Sequence, residues 1–345
     1  MKRETGGPPK ARQAGVTLVE LLVAMTVGLL VTIVALSTLV LGRTSFNAVD
    51  STTQLLDRER FVVDALSRVI MQAGFQDYSA GVLVTRGIVK KLGGDPEPDL
   101  FGWNNAGYKK LGDLQISSST DIADGDRPAK CGSVSDTSCL NGSDVLVVRF
   151  QGVGTTASPD GTMLNCLGNP EPGLVIGSLD ERAASIVYVD RDSNTGEPSL
   201  YCGYYKFSSS GSGWVSGQPL IEGVESMQLL FGTDSVVPVT APTFVAGAQD
   251  TIADRWLRAD QLKVAGNPVA TRENWRRVRA VRVGLVLRGP VGSAQERVND
   301  SFTPLGAAYS SSADTGSSLA TAADGRLRRV VNFTVHMRND LTATR

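Results

Sequence analysis

Three groups of residues in this sequence could do chemistry: one acid in an apolar run, four cysteines and a single histidine. The acid is Glu20, in the run Gly15-Val16-Thr17-Leu18-Val19-Glu20, and it is the one charged residue between Gln13 and Gly42. A carboxylate in hydrocarbon costs roughly 2.5–3.5 kcal/mol on insertion scales, so an acid kept there needs a partner or a task. The cysteines are Cys131, Cys139, Cys166 and Cys202, and the histidine, His336, lies in a strand-like segment without a recognisable catalytic partner. No Cys-His or Ser-His-Asp nucleophile assembles from these residues, and no GxxxxGK[ST] phosphate loop is present. The expectation is therefore a protein that is not an enzyme and needs no cofactor.

The element that must position Glu20 is apolar. From Leu21 to Leu41 only Thr26, Gly28, Thr32, Ser37 and Thr38 interrupt Leu, Val, Ala, Met and Ile, about the length a single helix needs to cross a bilayer. Lys2, Arg3, Lys10 and Arg12 precede it against Glu4, so the positive-inside bias predicts a cytoplasmic amino terminus and an exported remainder. A cleaved secretory signal fits less well: the glycine boundary comes before the apolar stretch, and residues 42–48 hold no small-x-small cleavage pattern. A plain anchor, with Glu20 snorkelling to the headgroups, is the simpler alternative.

Gly15-Val16-Thr17-Leu18-Val19-Glu20-Leu21-Leu22-Val23-Ala24-Met25 resembles the cleavage and methylation motif of type IV prepilins and type II secretion pseudopilins. The resemblance implies that prepilin peptidase cuts after Gly15, that Val16 becomes the N-methylated first residue, and that Glu20 meets the amino group of Val16 on a neighbouring subunit or on its own chain. Most members of the family carry Phe where Val16 stands. A carboxylate and an ammonium buried together in lipid offset each other, whereas either alone is costly.

No proline occurs from Lys10 to Asp95, so the helix is expected to continue beyond the span to Gly74. Val49, Leu56, Val63, Leu66, Ile70 and Ala73 recur at helical spacing and predict one face packed on a globular domain. Six β-branched and aromatic segments follow: Val145–Phe150, Ser185–Val189, Leu200–Phe207, Val224–Phe231, Ala280–Arg288 and Val330–Met337. The expected fold is α+β: a long amino-terminal helix on one mostly antiparallel sheet. Four segments result: a leader at 1–15, a membrane half of the helix at 16–42, an amphipathic half at 43–75 and a β-rich domain at 76–345. Polar stretches at 93–105, 117–143, 152–173 and 310–323 are expected as loops, the last as a flexible surface loop.

A second resemblance narrows the family. Arg58-Glu59-Arg60-Phe61-Val62-Val63-Asp64-Ala65-Leu66 leading to Met71-Gln72-Ala73-Gly74-Phe75, then Gly142 to Gly152, Pro198 to Cys202, Leu220 to Gln228 and Val278 to Leu285 are similar, in this order, to PilW-like minor pilins. That likeness implies a type IV pilin-like fold and a subunit that primes pilus assembly and sits at the filament tip. It also implies its partners: other minor pilins, the major pilin, prepilin peptidase, the inner-membrane assembly machinery and the lipid bilayer. The expected location is the inner membrane and then the pilus. A type II secretion pseudopilin, and a tip adhesin or DNA-uptake subunit, are the alternatives.

All four cysteines fall in the exported part, where disulfides persist, and four allow three pairings. Cys131 with Cys139 and Cys166 with Cys202 is the favoured set; no CxxC spacing supports zinc. Asp190-Arg191-Asp192-Ser193-Asn194-Thr195-Gly196-Glu197 begins like a calcium loop but has Thr195 at the sixth position and Tyr201 at the twelfth, so a hairpin turn is the better reading and no metal is expected. The chain has 34 basic and 35 acidic residues, and loss of the first 15 makes it slightly more acidic, which argues against a dedicated nucleic-acid binder. Arg272, Arg276, Arg277, Arg279 and Arg282, with Trp275 among them, are expected as a solvated sheet edge.

Overall fold

The computed structural model describes residues 15–77, 98–107, 140–155, 157–173, 182–206, 213–243, 251–294 and 296–339. Two units are distinguished, divided after Asp50. Helix α1, Leu18–Met71, contributes to both. In the first unit its large apolar side chains are exposed: Leu21, Leu30, Ile33 and Leu41 are each more than half accessible.

In the second unit one face of α1 enters the core. Leu55, Val62, Leu66, Val69, Ile70 and Ala73 are buried, Leu56 and Val63 are half-buried, and Val49 is exposed. The buried stripe thus lies about one residue from the expected one, because neighbouring apolar positions share the face and the packing selects its centre. Gly74, at a φ of 72°, takes the chain out of the helix, and its N–H donates to the Arg149 carbonyl at 2.9 Å.

Among the described residues, three antiparallel sheets stand in place of the single sheet expected. The first is β1 (Leu100–Trp103), β2 (Val145–Phe150), β3 (Ala183–Arg191), β4 (Pro198–Lys206) and β5 (Gly213–Glu222), in that spatial order. The second is ordered β11 (Arg328–His336), β8 (Val278–Arg288), β6 (Val224–Thr233) and β7 (Arg255–Leu257). Strands β9 (Asp300–Phe302) and β10 (Leu319–Thr321) form the third. The reason for the division is a corner at Gly223, φ 86°, between β5 and β6. A Cβ there would lie 2.6 Å from both the Arg288 carbonyl oxygen and Arg58 Nη1, so only glycine fits the turn.

Residues of β2, β3, β6 and β8 are almost wholly buried, including the polar Arg149, Glu225, Gln228 and Arg279. Two short helices, α2 (Ala259–Leu262) and α3 (Pro268–Arg276), precede β8. Asn267 caps α3 by accepting from the Ala270 N–H at 3.0 Å, with Pro268 entering the first turn.

Candidate functional site

The start of α1 is built by a local exchange of hydrogen bonds. Thr17 precedes the first helical residue and Glu20 is the third. The Thr17 N–H and its hydroxyl both donate to Glu20 Oε2 at 3.0 Å, and the Glu20 N–H donates to Thr17 Oγ1 at 3.3 Å. This is a capping box, in which the side chains of the cap residue and of the third helical residue satisfy otherwise orphaned donors. Its signature, Thr-x-x-Glu, is legible in the sequence, and reading Glu20 as a charge alone overlooked it. Gly15 and Val16 lie outside the helix and are exposed. The carboxylate is therefore held toward the helix start, one residue from Val16.

The 18-residue window that marks α1 as a candidate span has a mean hydropathy of 2.5 and is not buried at all within the chain. Thr26, Thr32, Ser37 and Thr38 return their hydroxyls to carbonyls three or four residues earlier, at 2.8–3.1 Å. The polar residues of this stretch thus present little hydrogen-bonding demand to an apolar surround.

Elsewhere the sites expected from sequence resolve as scaffold. Cys166 and Cys202 are joined with Cα atoms 5.9 Å apart, pinning the 152–173 excursion to β4. Cys131 and Cys139 lie outside the described residues, as does most of the 117–143 stretch. Residues 192–197 make the turn between β3 and β4, with Asp192 Oδ1 accepting from the N–H groups of Asn194 and Thr195 at 2.7 and 3.1 Å. Among the described residues no three His, Cys, Asp or Glu side chains cluster as metal ligands. His336 is exposed on β11.

The arginine cluster corrects the sequence reading. Arg272, Arg277 and Arg279 are buried, and β8 is an inner strand with a neighbour on each side. Arg279 pairs with the buried Asp234 at 3.6 Å, Arg277 donates to the Ser235 carbonyl at 3.3 Å, and Trp275 packs edge-on against Phe231. Arg282 stacks over Trp256 at 4.3 Å and donates to the Tyr309 hydroxyl at 3.2 Å.

Residues 310–323 are likewise a packed segment and not a flexible one. Asp314 and Ser317 are buried, and 319–321 form β10. Asn105 ties the segment down: its amide donates to Asp314 at 2.9 Å and accepts from the Gly316 N–H at 2.9 Å. Asp144, which accepts from the N–H groups of Asn105 and Leu229 at 2.8 and 2.7 Å, has its pKa pushed well up by burial and by the nearby Asp314.

A second charged group is fully paired. Glu197 holds Arg288 and Arg326 at 2.6 and 2.8 Å, Glu225 holds Arg288 and Arg328 at 3.0 and 2.6 Å, and Asp324 holds Arg328 at 2.7 Å. Burial works against the Glu197 carboxylate, but the hydrogen bonds and charges of its two arginines hold its pKa below the usual value. Arg58 and Glu59 fasten α1 to this corner, through the Arg288 carbonyl at 3.3 Å and the Arg329 side chain.

Comparison with known proteins converges on one family. The family model described as Type IV Pilus-assembly protein W matches residues 186–339, and that of the Prokaryotic N-terminal methylation motif matches residues 10–36. No curated protein gives a significant match. Among solved structures, a type IV-like pilin from Thermus thermophilus is 17% identical, over 58% of this chain and 80% of that one, with a TM-score of 0.31. The two family matches cover the amino-terminal motif and the region from within β3 through β11, in their expected order, and support a PilW-like type IV pilin with a prepilin-type amino terminus, a class of structural pilus proteins and not of enzymes.

Proposed function

We propose that this minor pilin primes pilus assembly together with other minor pilins and occupies the filament tip, with Glu20 pairing to a subunit amino terminus. Residues 1–15 are a leader removed by prepilin peptidase, 16–42 span the inner membrane, 43–75 form the amphipathic half of the helix, and the rest is exported. The amine freed at Val16 is methylated, and the inner-membrane assembly machinery supplies the energy.

The observation that carries this reading is the position of the Glu20 carboxylate, folded toward the helix start by Thr17. Both Thr17 donors engage Oε2, and an amine of the same chain or of an adjacent subunit approaches the other carboxylate oxygen. Bringing charges into an apolar bundle is tolerated only when they are paired, and removal of one partner from a buried pair costs about 3–5 kcal/mol.

Two substitutions separate charge from capping. Glutamine also completes a capping box, so Glu20→Gln keeps the helix start and removes the charge, whereas Glu20→Ala removes both. Loss of surface pili in both variants, with the chain still present in membranes, supports the pairing. Normal piliation with Glu20→Gln would mean that Glu20 acts only as a cap.

A further inference from the structure

Among the described residues the two larger sheets have four edge strands, and three of them are blunted. β1 is four residues long and wholly buried, and β7 is three residues long and carries Arg255. β5 contains Pro219, and its register with β4 breaks twice, at Leu200/Tyr201 and Cys202/Tyr204. These are the means by which sheets avoid adding a foreign strand.

β11 carries Arg328 and Arg329 at its start, both paired to acids, but it is neither short nor bulged and has no proline. It runs nine residues in unbroken register with β8, and among the described residues it pairs with no other strand. Val330-Val331-Asn332-Phe333-Thr334-Val335 is uncharged, without proline or glycine, and strongly β-forming. Val331 and Val335 face the core, while Val330, Asn332, Thr334 and His336 are exposed. Phe333 and Met337 are only partly covered, so an added strand would complete the core beside them.

We propose that the free edge of β11 receives an extended segment of a neighbouring exported subunit, adding a fifth strand to the second sheet. This rests on the chain working as a filament subunit. A row of backbone donors and acceptors recognises an extended chain, and alternate side chains supply selectivity. Charge defines the occupant further. Arg328 is matched by Glu225 and Asp324 and Arg329 by Glu59, whereas His336 and Arg338 stand exposed at the other end. The incoming segment is therefore uncharged along its middle, alternately apolar and polar, with a carboxylate beside Arg338. A second copy of β11 does not fit: paired antiparallel it brings Arg328 and Arg329 toward His336 and Arg338, and paired parallel it sets Arg338 beside Arg338.

The test is photo-crosslinking of the full-length chain in its own cells, with p-benzoylphenylalanine placed at Val330 or Thr334 and, as the control edge, at Gln218 in β5. Adducts from Val330 and Thr334 should exceed the Gln218 adduct by about tenfold, equivalent to about 1.4 kcal/mol of preference. Both should map to one uncharged stretch of a different exported protein. Arg338→Glu, at an exposed position, should lower the Thr334 adduct several-fold. Adducts no stronger than at Gln218, adducts only to a second copy, or indifference to Arg338→Glu would overturn the proposal. Filament and membrane fractions separate the two ideas: filaments that contain the chain without the adduct refute the edge alone, whereas the adduct in membranes with none of the chain in filaments refutes the filament reading alone.

Discussion

The two parts of α1 share one helix and solve opposite problems. From Leu18 to Asp50 its large apolar side chains are exposed, whereas from Ser51 to Met71 one stripe is buried against the chain's own sheets. The second part meets its hydrophobic demand internally. The first cannot, and exposed apolar surface on this scale marks contact with a membrane or another protein. A bilayer and a bundle of like helices both satisfy it, which is what a subunit that passes from membrane to filament requires. In the function proposed above, Glu20 gives that surface a point of register, as single polar groups do in helical assemblies.

Core truncation is the strongest way to break the contrast. Leu66→Ala should destabilise the folded chain by about 2–5 kcal/mol, as deletions in packed cores do. Leu30→Ala should leave the unfolding of the β-rich region unchanged. Thermal melting of the detergent-solubilised protein, followed by near-ultraviolet circular dichroism, distinguishes them; equal effects would mean that the first part also packs on the domain.

The next effect is covalent. Cys202→Ser opens the link between 152–173 and β4 and should cost about 2–4 kcal/mol of stability, read as a lowered melting midpoint that matches the wild type under reduction. Smaller again is the capping box. Thr17→Val should loosen the helix start by about 0.5–2 kcal/mol while Thr17→Ser restores it, measured as amide exchange protection at Val19 and Glu20 in micelles.

The smallest effect is set by pH and sharpens the view of the exported part. Glu197 and Asp324 have pKa values held below their ordinary 4.5 and 3.8 by their arginines. Their contribution is complete above those ordinary values and is lost as pH falls through the depressed ones. Asp144 behaves oppositely: its pKa lies well above 3.8, so its contribution is complete below that value and fades as pH rises through the raised one. Denaturant midpoints between pH 2 and 7 should therefore show Glu197→Gln lowering stability in the upper part of the profile, an effect that fades as the pH falls, and Asp144→Asn removing part of the decline as the pH rises.

Much of this was legible because it is local. Hydrophobic run length marked the exposed apolar part of α1, and β2 coincides with the expected Val145–Phe150. Strands β1 and β5 were missed: β1 is four residues inside a polar stretch, and β5 carries glycine, serine and proline and owes its conformation to pairing with β4. The arginine cluster was misread because its acid, Asp234, lies 45 positions before Arg279. Residues 310–323 looked mobile by composition, yet Asn105, some two hundred positions away, supplies the polar partners that let Asp314 and the Gly316 N–H be buried. At the amino terminus, spacing revealed Glu20, and only the geometry revealed that Thr17 orients it.

The most direct measurement is intact mass and amino-terminal sequencing of the chain from sheared surface filaments and, separately, from membranes of the same cells. A filament fraction whose chain begins with N-methylated Val16 is the predicted result. An uncut chain confined to membranes would contradict it and leave an anchored exported protein without a role in assembly.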